Sequence, residues 1–153
     1  MQWLRAQLDE DERIARKATH HEDYGTWTAK RIQSQESGRT RWAVFDSVDD
    51  CVVSDVDAEG TEPEGVARHL ELWDPARVLR EIDAKRRIIG MYATALDDRL
   101  VLRERMRAVI KSDPDEFSRL HRQESRLVDV AEGLRPVVRL LMLPYADRPG
   151  WMP

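Results

Sequence analysis

The residues best suited to chemistry are four histidines and the acids around them. His20 and His21 stand beside Glu22 and Asp23. Histidine and carboxylate together can ligate zinc or serve as base and orienting acid. Neighbours in one loop rarely converge on a single metal, and their spacing implies no third ligand. His69 precedes Asp74 among polar neighbours and reads as a structural histidine closing onto the helix that starts there. A catalytic histidine needs a nucleophile to serve, and nothing in the sequence pairs with His69 in that way. Asp55, Asp57, Glu59 and Gly60 begin like a calcium loop. The pattern then fails, because Pro63 occupies the ninth position and Val66 the twelfth, where a bidentate glutamate belongs. No catalytic residue, cofactor or metal ion is therefore assigned.

The other chemistry on offer is cationic. The chain has 21 Arg against 4 Lys, and guanidinium suits phosphate and carboxylate recognition. Arg77, Arg80 and Arg87 lie along one side of a predicted helix, where they can follow a phosphate backbone. Against this, Asp83 stands four residues before Arg87 and Glu81 four before Lys85, the spacing of ordinary intrahelical pairs. Net charge is −4, which is no nucleic-acid signature. Its distribution is uneven. Residues 46–64 hold eight acids and no Lys or Arg, whereas residues 65–112 hold eleven basic and seven acidic residues. Complementarity within the fold or between subunits is the simplest consequence.

The elements that must position these groups are mostly helical. The long stretch 74–111 has Asp74 as N-cap and Pro75 at the first helical position. Apolar residues recur through it at a helical period. A continuous helix of that length spans roughly 55 Å at about 1.5 Å per residue. Before it, residues 2–18 read as a first helix, with Trp3, Leu4, Leu8, Ala15 and Ala18 on the apolar stripe. Three β-rich segments follow between residues 27 and 56, separated by turn-like QESG and SVDD. They predict a three-stranded antiparallel meander with Trp27, Trp42, Val44 and Phe45 as its bulky residues. A short helix over 64–73 should place Val66, Ala67, Leu70 and Trp73 on one face. After the breaker SDPD, with Ser112 or Asp113 as N-cap and Pro114 at the first turn, a helix runs to Glu132 with Gly133 as its cap, and Pro136 starts or kinks a last one through Leu143. The tail 144–153 is irregular.

The fold class is thus α+β: a small three-stranded antiparallel meander packed on a mainly helical body with one long central helix, in a single domain over 1–153. Cys51 is the only cysteine, so no intramolecular disulfide forms. The opening MQWLRAQLDEDE is amphipathic and acidic rather than a hydrophobic leader. No apolar run approaches the ~18–20 residues of a membrane span. These features predict a cytoplasmic protein with no membrane contact.

HLELWDPARVLREIDAKRRII at 69–89 and LRPVVRLLMLPYADRPGW at 134–151 together resemble an uncharacterised actinobacterial and actinophage family of small proteins, a domain of unknown function. The first helix, WLRAQLDEDERIAR, is more weakly similar. The resemblance implies histidine and cysteines, spaced like a zinc site, between the long helix and the RLLxLPYA stretch. This chain has no cysteine there and only His121, so packed helices must supply the stability that a metal would.

The function expected is that of a non-enzymatic accessory or protein-interaction protein of a bacterial or phage cytoplasm. The alternatives are a nucleic-acid-associated regulator using Arg77, Arg80 and Arg87, and a metal-dependent hydrolase using His20, His21, His69 or His121. Trp151 in the tail suits a docking contact. The long helix carries two apolar stripes, Ile82, Ile89 and Leu96 before Asp97-Asp98, and Leu102, Met106 and Val109 after it. A helix this long outruns what the other elements can cover, so this face predicts a homodimer. The rival is a helix broken at Asp97-Asp98 that folds back on itself.

Overall fold

The computed structural model describes residues 1–19, 25–33, 40–54, 56 and 62–151. His20, His21 and the candidate calcium residues Asp55, Asp57, Glu59 and Gly60 lie outside these. In chain order the elements are α1 (Gln2–Lys17), β1 (Thr28–Gln33), β2 (Thr40–Phe45), β3 (Cys51–Val53), α2 (Pro63–Leu72), α3 (Pro75–Val109) and α4 (Pro114–Met142). A 3-10 turn at Leu143–Tyr145 follows α4. The fold is α+β, as the sequence predicts. Contacts divide the chain into two compact units: Leu8–Asp83, and Met1–Gln7 with Ala84–Pro153.

The first unit holds the sheet, an antiparallel meander in the order β1-β2-β3. Ala29 pairs with Val44 and Arg31 with Trp42. The two-residue period of a strand puts Trp42 and Val44 on one face. That face meets α2: Val44 and Ala67 are fully buried together with Ala29 and Val56, and Trp27, Trp42, Val66 and Leu70 pack around them. A three-stranded sheet needs such a cover to be stable in water. The β2–β3 turn is built by Asp46, whose Oδ1 accepts the backbone N–H of Val48 at 3.0 Å and of Asp50 at 2.9 Å. Asp49 takes the left-handed conformation at φ 65°, which a short polar side chain tolerates. Ala18 and Trp73, expected on apolar faces, are exposed instead. Helix α1 ends at Lys17 and α2 at Leu72, so neither residue has a helix face to bury.

The N-terminus of α3 forms as its sequence requires. Asp74 Oδ1 accepts the Arg77 backbone N–H at 2.6 Å, and Pro75 opens the helix. The helix is unbroken through Asp97-Asp98, so the chain does not fold back there. The reversal comes at residues 110–113 instead, where Asp113 caps α4 through the Glu116 N–H at 2.9 Å.

In the second unit α4 runs uninterrupted across Gly133 and Pro136, which corrects the expected cap and break. Pro136 lacks the amide that would reach the Glu132 carbonyl. Ala131 and Val138, buried on either side of it, hold the helix through that gap, since tertiary burial outweighs local propensity. The chain after α4 is anchored rather than loose. Trp3 Nε1 donates to the Pro149 carbonyl at 3.0 Å, and its ring meets Tyr145 and Trp151 edge-on. Gly150, at φ 81°, passes so close that a Cβ there would lie 3.0 Å from Trp3 Nε1.

Candidate functional site

The cations proposed for phosphate contacts differ in their surroundings. Arg77 is committed within the fold. Its guanidinium stacks 4.4 Å from the Trp73 ring centre, donates Nε–H to Glu81 at 3.0 Å and donates to the Leu72 carbonyl at 2.9 Å. Arg80 and Arg87 are exposed. His69 is exposed with its ring 6.2 Å from Trp73, so it does not close onto the first turn of α3. His121 is also exposed, 3.3 Å from the Ser125 hydroxyl. Among the described residues no group of three or more His, Cys, Asp or Glu is placed to hold a metal ion.

The stripes on α3 also separate. Ile82 and Ile89 are only 3% and 1% exposed, so the chain itself already covers them. Leu96, Leu102, Met106 and Val109 are half-buried. Trp151 is half-buried against Trp3 rather than free for docking.

What the second unit brings together is a charged tie between its two long helices. Glu124 of α4 is buried, and one of its oxygens accepts Nε–H from Arg99 at 3.1 Å and from Arg103 at 3.0 Å. Burial alone would push this carboxyl up, but the hydrogen bonds and positive charge of the two arginines outweigh it and hold its pKa below the usual carboxylate range. Leu120, Ala131 and Val138 supply the apolar burial along the same helix.

Beside this tie lies an open groove of about 430 Å³ between α3 and α4. Val101, Leu102 and Leu127 give it an apolar floor, and Asp98, Arg105, Gln123 and Arg126 give it a polar rim. Val101 is 49% exposed, a large apolar side chain left to water. Arg105 feels the Glu116 carboxylate, whereas Arg126 has no ion-pair partner among the described residues. Such a surface can take an apolar side chain in its floor and a carboxylate on its rim.

Among the described residues of the first unit are two further hollows. One, about 410 Å³, is bordered by Asp46, Asp50 and the exposed thiol of Cys51. Asp46 already serves the turn there. The other, about 230 Å³, is lined by Ile14, Trp27, Trp73 and Val78, with Asp11 at its margin.

The whole chain, residues 1–153, matches the model of a family described as a family of unknown function (DUF6221). The chain belongs to that family. No curated protein and no solved structure matches it. The family description carries no reaction and no ligand, so the functional reading rests on the geometry above.

The groove and the Glu124 tie were not found from sequence. The signal for Glu124 was present, because it falls at helical spacing from Leu120, Ala131 and Val138. Leu120, Glu124 and Ala131 all lie inside the helix expected to end at Glu132, but spacing alone does not reveal that a glutamate among apolar positions meets arginines of another helix.

Proposed function

We propose that this chain is an accessory protein that works by binding other proteins, with the α3–α4 hairpin as its working surface. The observation that carries the reading is the groove with Val101 exposed on its floor and Arg126 unpaired on its rim. Exposed apolar area with polar edges is the mark of an interaction surface. A nucleic-acid role through Arg77, Arg80 and Arg87 is less well supported, since Arg77 is tied to Trp73, Glu81 and Leu72.

A bacterial or phage setting belongs to the same proposal and is supported by the resemblance of residues 69–89 and 134–151. A cytoplasmic place is supported by the exposed, unpaired thiol of Cys51, which suits a reducing compartment. No helix among the described residues is long and apolar enough to cross a membrane.

The test compares affinity capture from the native cell by the wild-type chain and by Val101→Glu, with recovered proteins quantified. Val101 is a surface position, so circular dichroism should be unchanged by the substitution. Proteins recovered with the wild type should fall at least several-fold with the variant. Equal recovery by both chains would remove the groove from the account.

A further inference from the structure

The C-terminal half of α4 carries a second apolar face that the fold does not use. Val130, Val137 and Leu140 are 45%, 36% and 62% exposed. With Gly133 they fall within an arc of about 80° at 3.6 residues per turn. The buried residues of the same helix, Leu120, Glu124, Ala131 and Val138, point about a third of a turn away.

Gly133 sits in the middle of this face. Glycine is the least favourable residue but proline for a helix interior. A Cβ built at Gly133 meets nothing within 4 Å, so the isolated chain gives no packing reason for a glycine. A second helix crossing closely at that point would give one.

The two ends of the face are unlike in charge. Arg122 and Arg126 lie at its N-terminal end, exposed and without an ion-pair partner among the described residues. At the other end are the last carbonyls of α4, the negative pole of the helix, with the exposed Asp147 beyond them and the exposed Arg139 on another side of the last turn. An antiparallel copy centred on Gly133 brings unlike ends together at both sides. A parallel copy stacks like on like.

We infer that this face docks on α4 of a second copy of the chain, antiparallel, with the two-fold axis near Gly133. The assignment needs neither the α3 stripe nor the Val101 floor of the groove, and Arg126 is the residue it shares with the groove's rim. One helix crossing covers less than the about 800 Å² per partner of a standard interface, so the dimer is weak and depends on concentration.

Light scattering across a wide concentration series tests this. The mass should rise from 17.8 kDa towards twice that value. Leu140→Glu and Gly133→Leu should each weaken association at least ten-fold with the circular dichroism spectrum unchanged. Both positions are open in the single chain, and two variants guard against one that fails to fold. In a Cys51→Ser background, chains carrying Arg126→Cys and chains carrying Leu140→Cys should cross-link to each other. Cross-linking of Leu140→Cys to itself would mean a parallel pair and overturn the arrangement. A constant mass of 17.8 kDa overturns the dimer, as does a dimer that ignores both variants. Loss of a different protein from the variants, with the wild type monomeric, would assign the face to that protein instead.

Discussion

The two units are held together by different chemistry. In Leu8–Asp83 the centre is small and apolar: Ala29, Val44, Val56 and Ala67 fit between the sheet and α2. Its buried carboxylates, Asp46 and Asp74, accept backbone N–H groups of their own turns, and its Arg68 lies on Trp42 and Arg77 on Trp73. In Met1–Gln7 with Ala84–Pro153 a carboxylate is buried and two arginines reach in to meet it. Packing sets the first unit, and any apolar residue of the right size can serve it. The second depends on geometry, since a buried charge is tolerable only while its partners stay in place. The same unit also exposes Val101, Val130, Val137 and Leu140. Helices registered by charge can leave apolar side chains for another use.

Leu8→Ala should have the largest effect and marks the apolar extreme. Leu8 is fully buried, and truncation there costs about 2–5 kcal/mol in urea unfolding. A cost under 1 kcal/mol would mean that the site collapses around the gap and that packing is looser than described.

Glu124→Ala comes next and probes the other regime. It removes charge-assisted hydrogen bonds from Arg99 and Arg103, at about 1.5–3 kcal/mol. Glu124→Leu should recover part of that loss by refilling the volume. If it exceeds the wild type, the tie sets helix register and adds no stability.

The same carboxylate makes stability depend on pH. Its pKa is depressed in the folded chain. Its contribution is therefore complete above the unfolded value, about 4.3, and is lost as pH falls through the folded one. Amide exchange in α4 should accelerate in that acid range before exchange in β2 does. Glu124→Gln should abolish the difference between the two elements.

Gly150→Ala is the smallest of these effects. The residue sits at φ 81° beside Trp3, so a Cβ is both strained and crowded. A loss of about 1–2 kcal/mol is expected, roughly the price of a left-handed conformation for an L-residue. A neutral result would show the anchored turn after α4 to be dispensable.

Much of this was legible before the structure. Asp74-Pro75 and SDPD announce two helix starts through local chemistry; Asp74 caps as expected, and of Ser112 and Asp113 it is Asp113 that caps α4. The meander was readable because segments rich in β-branched and aromatic residues lie between turn-forming runs. Pro136 misled, because local propensity argues for a stop while burial of Ala131 and Val138 decides otherwise. That error split one helix in two and hid the face around Gly133. The first half of the α3 stripe shows a different limit. Ile82 and Ile89 show helical period, but periodicity cannot tell a face covered by the same chain from one awaiting another.

The most direct measurement follows methyl resonances as the protein is diluted. Methyls of Val101, Val130, Val137 and Leu140 report on the hairpin, and those of Val44 and Val53 on the sheet. Dilution should shift Val130, Val137 and Leu140 and leave Val44 and Val53 still. Val101 should move only when a different protein is added. Shifts centred on the sheet, or none across the series, would contradict that pattern.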